Sequence, residues 1–385
     1  MEKYEYYAPR LSLFGYGCRE GLKTAIQEAG YQKGLVVTDA GLVKLGVVAK
    51  VTDVLDEAGI EYLLFDQVKP NPTIANAEAG LEMLRQNGCD FLLSIGGGSA
   101  HDCAKAIGIV ATNGGKVQDY RGRDRSRVPS LPIIAVNTTA GTGSECTRAY
   151  VMVEEATGEK YGNRDKNALV AIAVNDHELM MGLPAALTAG TGMDALTHAV
   201  ECCTSKSGFL LASELALSAI RLVFAHLKSA VATSDEKSRE AMATAQYLAG
   251  LAFGNGGVGL VHSMSHQLSA VYDLPHGLCN AILLPVVMRF NRSNAKAERQ
   301  YGEVAEVIFP LDCAGKSDAE RCDILIEKIE RLSETIGTRV ALGTLGVRRE
   351  DVVLLAEKTL QDGSLPNNPV QPSAAEIEEL FKSII

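Results

Sequence analysis

The first half of this chain alternates between two periodicities, and that alternation leaves few folds open. Short apolar runs at 35–38, 62–65, 91–95 and 133–136 have the length and bounding of buried strands. Amphipathic stretches near 19–29, 42–58, 74–87 and 99–111 lie between them. Strand, helix, strand at this spacing predicts βαβ units, hence a parallel sheet covered by helices. One further strand is predicted at 171–174. Near Pro184 the pattern changes. From there the sequence is rich in Ala, Leu, Met, Glu and Lys with a 3.6-residue period, as in 212–232, 237–253, 318–336 and 374–384. No strand is predicted after about 176, and the most loop-like stretch of this half is 362–373. Two domains are expected: a Rossmann-like α/β domain over 1–183 and an all-α domain over 184–385. A chain of 385 residues has room for both.

Composition narrows the function classes. With 46% hydrophobic and 22% charged residues, a disordered or fibrous chain is excluded. The net charge of −10, with no dense basic patch, argues against a nucleic-acid partner. No uncharged apolar run reaches the roughly 18 residues that span a membrane, and MEKYEYYAPR lacks the apolar core of a signal peptide. Nine cysteines, an odd number with no CxxC pair, fit a reducing, cytoplasmic setting.

Two turns carry the signature of a phosphate cradle. After the run ending at Ile95 comes Gly96-Gly97-Gly98-Ser99, followed by a helical pattern. Glycines remove Cβ atoms, so backbone N–H groups can approach an anion, and a helix N-terminus adds partial positive charge. Ser99 is expected to cap that helix and to donate to a phosphate. The string matches neither GxGxxG nor a P-loop. The second turn, Asn137 to Glu145, places hydroxyls and glycines after the next strand. Ligands of open α/β sheets bind outside the carboxyl ends of strands. Asp39 closes the first of these runs and is positioned to accept from ribose hydroxyls, which favours NAD over NADP; a turn or N-cap aspartate has the same sequence context.

The helical half holds five of the seven histidines, and four of them, all but His226, fall in two clusters. Asp194 and His198 are four residues apart, as are His262 and His266, so each pair shares a helix face. His276 follows in Leu274-Pro275-His276-Gly277. One carboxylate and four imidazoles in apolar surroundings offer N and O ligands to a divalent transition metal. Spacing alone leaves open which of the five would bind. A metal beside a nicotinamide points to alcohol–carbonyl interconversion, the metal acting as Lewis acid and the nicotinamide carrying hydride. Cys202-Cys203 reads as apolar packing.

Taken together, GGGSAHDCAKAIG (96–108), NTTAGTGSE (137–145), GMDALTHAVE (192–201), GLVHSMSHQL (259–268) and LPHGLCNAILLP (274–285) resemble the iron-dependent, group III alcohol dehydrogenase family, over essentially the whole chain. The resemblance is strongest to the branch with short-chain alcohol, 1,3-propanediol, methanol and lactaldehyde enzymes. It implies a dehydroquinate-synthase-like fold: a dinucleotide-binding domain, a helical domain and an active site between them. Carried over onto this sequence, it implies metal ligands Asp194, His198, His262 and His276, with His266 as a catalytic residue on a proton path. It implies NAD(H) contacts at Asp39, Asn71, Gly96, Gly97, Gly98, Ser99, Asp102, Thr138, Thr139, Thr142 and Lys160. Fe(II) is the expected metal, with Zn(II) compatible, and a homodimer or larger homo-oligomer is expected.

The sequence departs from the family pattern at Val286, where many relatives have histidine, and at Val370, where many have arginine. Ala149 stands where relatives carry bulkier side chains. With Phe253 and Ser364 it is expected to shape the substrate pocket. The expected activity is reduction of a small aldehyde to its primary alcohol. An anionic aldehyde, such as sulfoacetaldehyde or a semialdehyde, is the alternative, with Arg148 as its partner unless that residue is a surface charge. A glycerol-dehydrogenase-like or dehydroquinate-synthase-like enzyme, and a non-catalytic nucleotide- or metal-binding protein, are the other readings. The string GMDALTHAVE argues against the former and the intact ligand set against the latter.

Overall fold

The computed structural model describes residues 3–385. It comprises two compact units, Tyr6–Gly182 and Leu183–Ile385, the described N-terminal residues up to Glu5 belonging with the second. The first unit contains the strands: β1 Leu11–Phe14, β2 Lys33–Val37, β3 Glu61–Phe65, β4 Phe91–Gly96, β5 Ile133–Asn137, β6 Ala149–Glu154, β7 Glu159–Arg164 and β8 Ile172–Asn175. Six of them form one parallel sheet in the order β1-β8-β5-β4-β2-β3, and β6 pairs antiparallel with β7. One face of the sheet buries Val36, Leu93, Ile95, Val136 and Val174 against Leu22, Ile26, Val51 and Leu55 of the flanking helices. β4, buried along its whole length and apolar but for Ser94, has the character of a central parallel strand.

Three strands lie outside the sequence expectation. β1 is an edge strand with Leu11 and Phe14 exposed, so its four residues lack a buried run's signature. β6 and β7 turn through Glu155–Gly158, with Gly158 at φ 68°. β7 reads EKYGNR, which is polar throughout most of its length. The single helix expected over 42–58 is two, Ala40–Lys44 and Val47–Glu57, separated where Gly46 takes a left-handed conformation at φ 72°.

Chain direction fixes where this unit can bind. From β2 the chain runs outward to β3; from β4 it runs the other way, to β5. The carboxyl ends of the neighbouring β2 and β4 therefore flank a topological switch point, the place where open α/β sheets form a ligand crevice.

The second unit is helical throughout its described residues. Helices Ala185–Thr204, Leu210–Ala232 and Glu236–Gly256 pack on one another. Leu210–Ala232 is the one described helix long and apolar enough to cross a membrane by length and composition. It buries Ala212, Ala216, Ala219, Ile220, Val223 and Leu227. Reciprocal capping boxes start two later helices, Ser317 with Glu320 and Ser373 with Glu376. All nine cysteines are free thiols, eight of them buried.

Candidate metal and nucleotide sites

The two phosphate-like turns lie side by side in the α/β unit. β4 and β5 pair so that Gly96 faces Asn137, and Thr138 N–H donates to the Gly96 carbonyl at 2.9 Å. A Cβ on Gly97 would stand 2.8 Å from Thr139 Oγ1, and one on Gly98 would stand 3.1 Å from Thr142 Cγ2. The close approach of the threonine turn thus leaves no room for a Cβ at Gly97 unless Thr139 shifts, and leaves little at Gly98. The helix Gly98–Asn113 begins here, with Gly97 as N-cap and no side chain on its first-turn N–H groups. Ser99 is not the cap that sequence predicted. It is the second helical residue, and its hydroxyl donates to the Pro70 carbonyl. The uncapped first turn and the buried, unpartnered Thr139 Oγ1 fit an anionic ligand such as a pyrophosphate.

The remaining cofactor candidates are ordered by bonds within the unit. Asp39 Oδ1 accepts from Leu42 N–H at 3.0 Å, capping the helix Ala40–Lys44 beside the switch point. Lys160 Nζ donates to Asn71 Oδ1 at 2.9 Å, so β7 reaches the loop after β3. Asp102 uses both oxygens: Oδ1 accepts from Ser144 Oγ at 2.7 Å and Oδ2 from Val151 N–H at 2.8 Å. It anchors β6 to the helix. One turn on, fully buried Lys105 donates to the carbonyls of Ser144 and Ala149, both at 2.7 Å, and to Ser144 Oγ at 2.9 Å. Burial pulls its ammonium down to about 8. His101 is also fully buried, its Nδ1 2.8 Å from Ser94 Oγ, and burial lowers its pKa to about 3. It is a packing histidine rather than part of the phosphate turn.

In the helical unit, Asp194, His262 and His276 bring one donor atom each to within 4.8 Å of one another. Asp194 Oδ1 lies 3.7 Å from Nε2 of both His262 and His276, and 3.8 Å from His198 Nδ1. Asn280 Nδ2 sits among them. It donates to Asp194 Oδ1 at 2.7 Å and stands 3.2 and 3.3 Å from Nε2 of His276 and His262. One amide nitrogen facing a carboxylate and two imidazole nitrogens marks where several donor atoms converge. That donor chemistry fits a divalent transition metal. Burial alone would raise the Asp194 carboxyl, yet the imidazoles of His198, His262 and His276 hold it far below the usual carboxylate range.

His198 lies against this group without joining its three converging atoms. Its ring stacks between Phe253, at 4.0 Å, and His262, at 4.4 Å. Phe253, predicted as a pocket residue, thus touches the cluster directly. His276 begins the helix His276–Asn291, and the next residue explains its placement: a Cβ on Gly277 would lie 2.2 Å from the Gly190 carbonyl oxygen. Only glycine lets the two backbones touch there.

His266 is separate again. Its Nδ1 lies 2.9 Å from Asp362 Oδ2, and its ring stacks on His276 at 5.3 Å. Asp362 Oδ1 also accepts from Ser364 N–H at 2.8 Å and Ser263 Oγ at 3.2 Å. Despite burial, which raises it, the His266 imidazole and the hydrogen bonds from Ser364 bring the Asp362 pKa down to about 2. Ser364 therefore contributes its backbone to the turn that holds Asp362.

Sequence reasoning missed Glu201, Asn280 and Asp362 as parts of the site. Glu201 and Asn280 stand inside the motif strings, three and four residues beyond His198 and His276, on the same helix faces. Asp362 opens a loop 96 residues from His266, and no spacing rule connects them. Asn368, in the string that ends in Val370, acts on the backbone. Its Oδ1 accepts from Leu260 N–H at 3.1 Å, at the start of the helix bearing His262. Arg148 is buried with its guanidinium 3.9 Å over the Tyr7 ring, so the surface-charge reading does not hold.

A doubly wound parallel sheet with a glycine-rich turn, joined in one chain to a helical unit with an Asp/His donor cluster, is a layout that suits a metal-dependent nicotinamide oxidoreductase. Comparison with known proteins identifies the family. Residues 9–177 match iron-containing alcohol dehydrogenase, and residues 188–385 match the C-terminal part of the Fe-containing alcohol dehydrogenase family. The chain is 43% identical over 379 residues to alcohol dehydrogenase 4 of Schizosaccharomyces pombe, covering 98% of this chain and 88% of that one. It is 43% identical over 382 residues to 1,3-propanediol dehydrogenase of Citrobacter freundii, covering 98% of each. A crystal structure of a 1,3-propanediol oxidoreductase superposes with a TM-score of 0.97 at 42% identity over the full length of both chains. The chain belongs to the iron-containing alcohol dehydrogenase family. It is an NAD(H)-linked oxidoreductase that interconverts an alcohol and its aldehyde.

Proposed function

We propose that the protein reduces small, uncharged aldehydes to primary alcohols with NADH, at a divalent metal held by Asp194, His198, His262 and His276. The observation that carries this reading is the convergence of Asp194 Oδ1 with Nε2 of His262 and His276 around one point. Three imidazoles and one carboxylate suit Fe(II), with Zn(II) also accommodated. When bound, the metal supplies Lewis-acid polarisation of the substrate oxygen and the nicotinamide supplies hydride.

The chain's own residues do the rest. Asp194 supplies the one negative charge among the ligands, which tempers the metal's positive charge. His266, partly exposed and oriented by Asp362, delivers the proton that the product alkoxide requires. The Gly96–Ser99 turn, Asp102, Thr138, Thr139 and Thr142, together with Asn71 and Lys160, hold the dinucleotide, and Asp39 takes the adenosine ribose. Phe253, Ala149 and Ser364 shape the substrate pocket. Arg148 is engaged with the Tyr7 ring, which favours a neutral over an anionic substrate. The nine free cysteines favour a cytoplasmic location, and a homodimer or larger homo-oligomer is the expected assembly.

The test combines metal analysis with NADH oxidation across matched neutral and anionic aldehydes. Acetaldehyde, propionaldehyde, lactaldehyde and 3-hydroxypropionaldehyde are expected to turn over with the higher kcat/KM. A higher kcat/KM for sulfoacetaldehyde or succinic semialdehyde overturns the neutral-substrate reading.

A further inference from the structure

Glu201 is a buried carboxylate, 5% exposed, that the proposed chemistry does not use. It lies on the helix Ala185–Thr204, seven residues after Asp194 and three after His198, so all three project from one side of that helix. Both of its oxygens reach a second helix, Leu260–Tyr272. Oε1 accepts from Val261 N–H at 2.7 Å, and Oε2 lies 2.5 Å from His262 Nδ1. The Val261 amide is in the first helical turn, where N–H groups have no partner inside the helix. Glu201 therefore fixes both the position of that helix start and the ring of its first histidine.

The tautomer follows from this geometry. A carboxylate only accepts, so the hydrogen of His262 is placed on Nδ1. The Nε2 lone pair is then directed at Asp194 and the converging donors, 3.7 Å away. An imidazole with its proton on Nε2 offers nothing to a cation there.

We infer that Glu201 is a positioning residue for metal binding: it holds His262 as the Nδ1–H tautomer with Nε2 presented to the metal. This inference rests on the ligand reading above. Its partner carboxylate also raises the basicity of the ligating nitrogen, and losses on removing such partners run to about 10–100-fold in metal affinity. Glu201→Gln keeps an acceptor for Val261 N–H, but its amide turned toward Nδ1 donates, which drives the ring proton to Nε2.

The test titrates Co(II) into the full-length, metal-free chain against a competing chelator, with the d–d absorption spectrum recorded for each variant. Expected for Glu201→Gln is a Co(II) affinity lower by about 10–100-fold and an altered spectrum, at an unchanged unfolding temperature of the metal-free chain. Glu201→Asp, which keeps the carboxylate, recovers part of the affinity. His262→Ala serves to separate the two ideas. If His262→Ala binds Co(II) like the unchanged chain, the ligand reading fails. If His262→Ala loses binding and Glu201→Gln does not, the role of Glu201 fails. Should Glu201→Gln not fold, nitrogen-15 histidine labelling of the unchanged, Zn(II)-loaded chain decides. A proton on Nδ1 of His262 supports the inference and a proton on Nε2 overturns it.

Discussion

Asp362 Oδ2 accepts a hydrogen bond from His266 Nδ1 at 2.9 Å, joining a loop carboxylate to a histidine 96 residues earlier in the chain. The pair leaves Nε2 of His266 as the nitrogen that can exchange a proton, on a ring that stacks against His276. His266→Ala is expected to lower kcat by about 100-fold or more, the range of general acid–base catalysis, with metal content unchanged. Asp362→Asn is expected to lower kcat by a smaller factor and to move the pH profile. Metal lost from His266→Ala would show that the ligands are wrongly assigned.

The same pair has a consequence for acid stability. The Asp362 pKa of about 2 lies below the ordinary aspartate value of about 3.9. Its contribution to stability is therefore present above pH 4 and is lost as the pH falls toward 2, amounting to about 2 kcal/mol. Denaturant unfolding of the unchanged chain and of Asp362→Asn, compared between pH 5 and pH 2.5, checks this. Equal acid losses in the two proteins refute it.

Asp194 stands within 3.8 Å of nitrogens from three histidines and contributes the negative charge among them. Asp194→Asn is expected to abolish both bound metal, measured by elemental analysis after anaerobic loading, and alcohol oxidation. Full metal occupancy in that variant contradicts the site.

Asp39→Gly tests the ribose contact without confusion from folding. Asp39 caps a short helix, and glycine at an N-cap costs only a few tenths of a kcal/mol. The kcat/KM ratio for NADH over NADPH is expected to fall by about 10-fold or more, the scale of one lost polar discrimination. An unchanged ratio at unchanged stability removes Asp39 from the cofactor site.

Lys105 makes its bonds where water does not reach. Lys105→Met leaves the carbonyls of Ser144 and Ala149 without their donor and Asp102 without its neighbouring cation. A loss of about 3 kcal/mol is expected, as for other broken buried pairs. Thermal unfolding that matches the unchanged chain would show that these carbonyls find other partners.

The sequence carried the sheet where strands are buried on both faces, because uninterrupted apolar runs such as Ile133–Val136 admit few other readings. It missed β1, whose four residues sit half-exposed at the edge, and β7, whose side chains are polar. The donor cluster was legible because Asp194 and His198 share one helix face and His262 lies near the start of another. What spacing could not supply was orientation. That His198 stacks between Phe253 and His262, and that Asp362 reaches His266, depends on contacts between elements far apart in sequence. Ser99 failed as a cap for a local reason: the helix starts at Gly98, two residues earlier than a cap at Ser99 would need.

The touching backbones at Gly190 and Gly277 give the donor cluster an unusual vulnerability. His276 departs from a contact in which no side chain takes part, so its position depends on the absence of one methyl group, at Gly277. Alanine at 277 would collide with the Gly190 carbonyl and wedge the two helices apart at the point where His276 departs. A change that alters no charge, no ligand and no hydrogen-bonding group would then dismantle the cluster mechanically. For anyone redesigning this pocket, residue 277 belongs with the histidines among the positions to leave untouched.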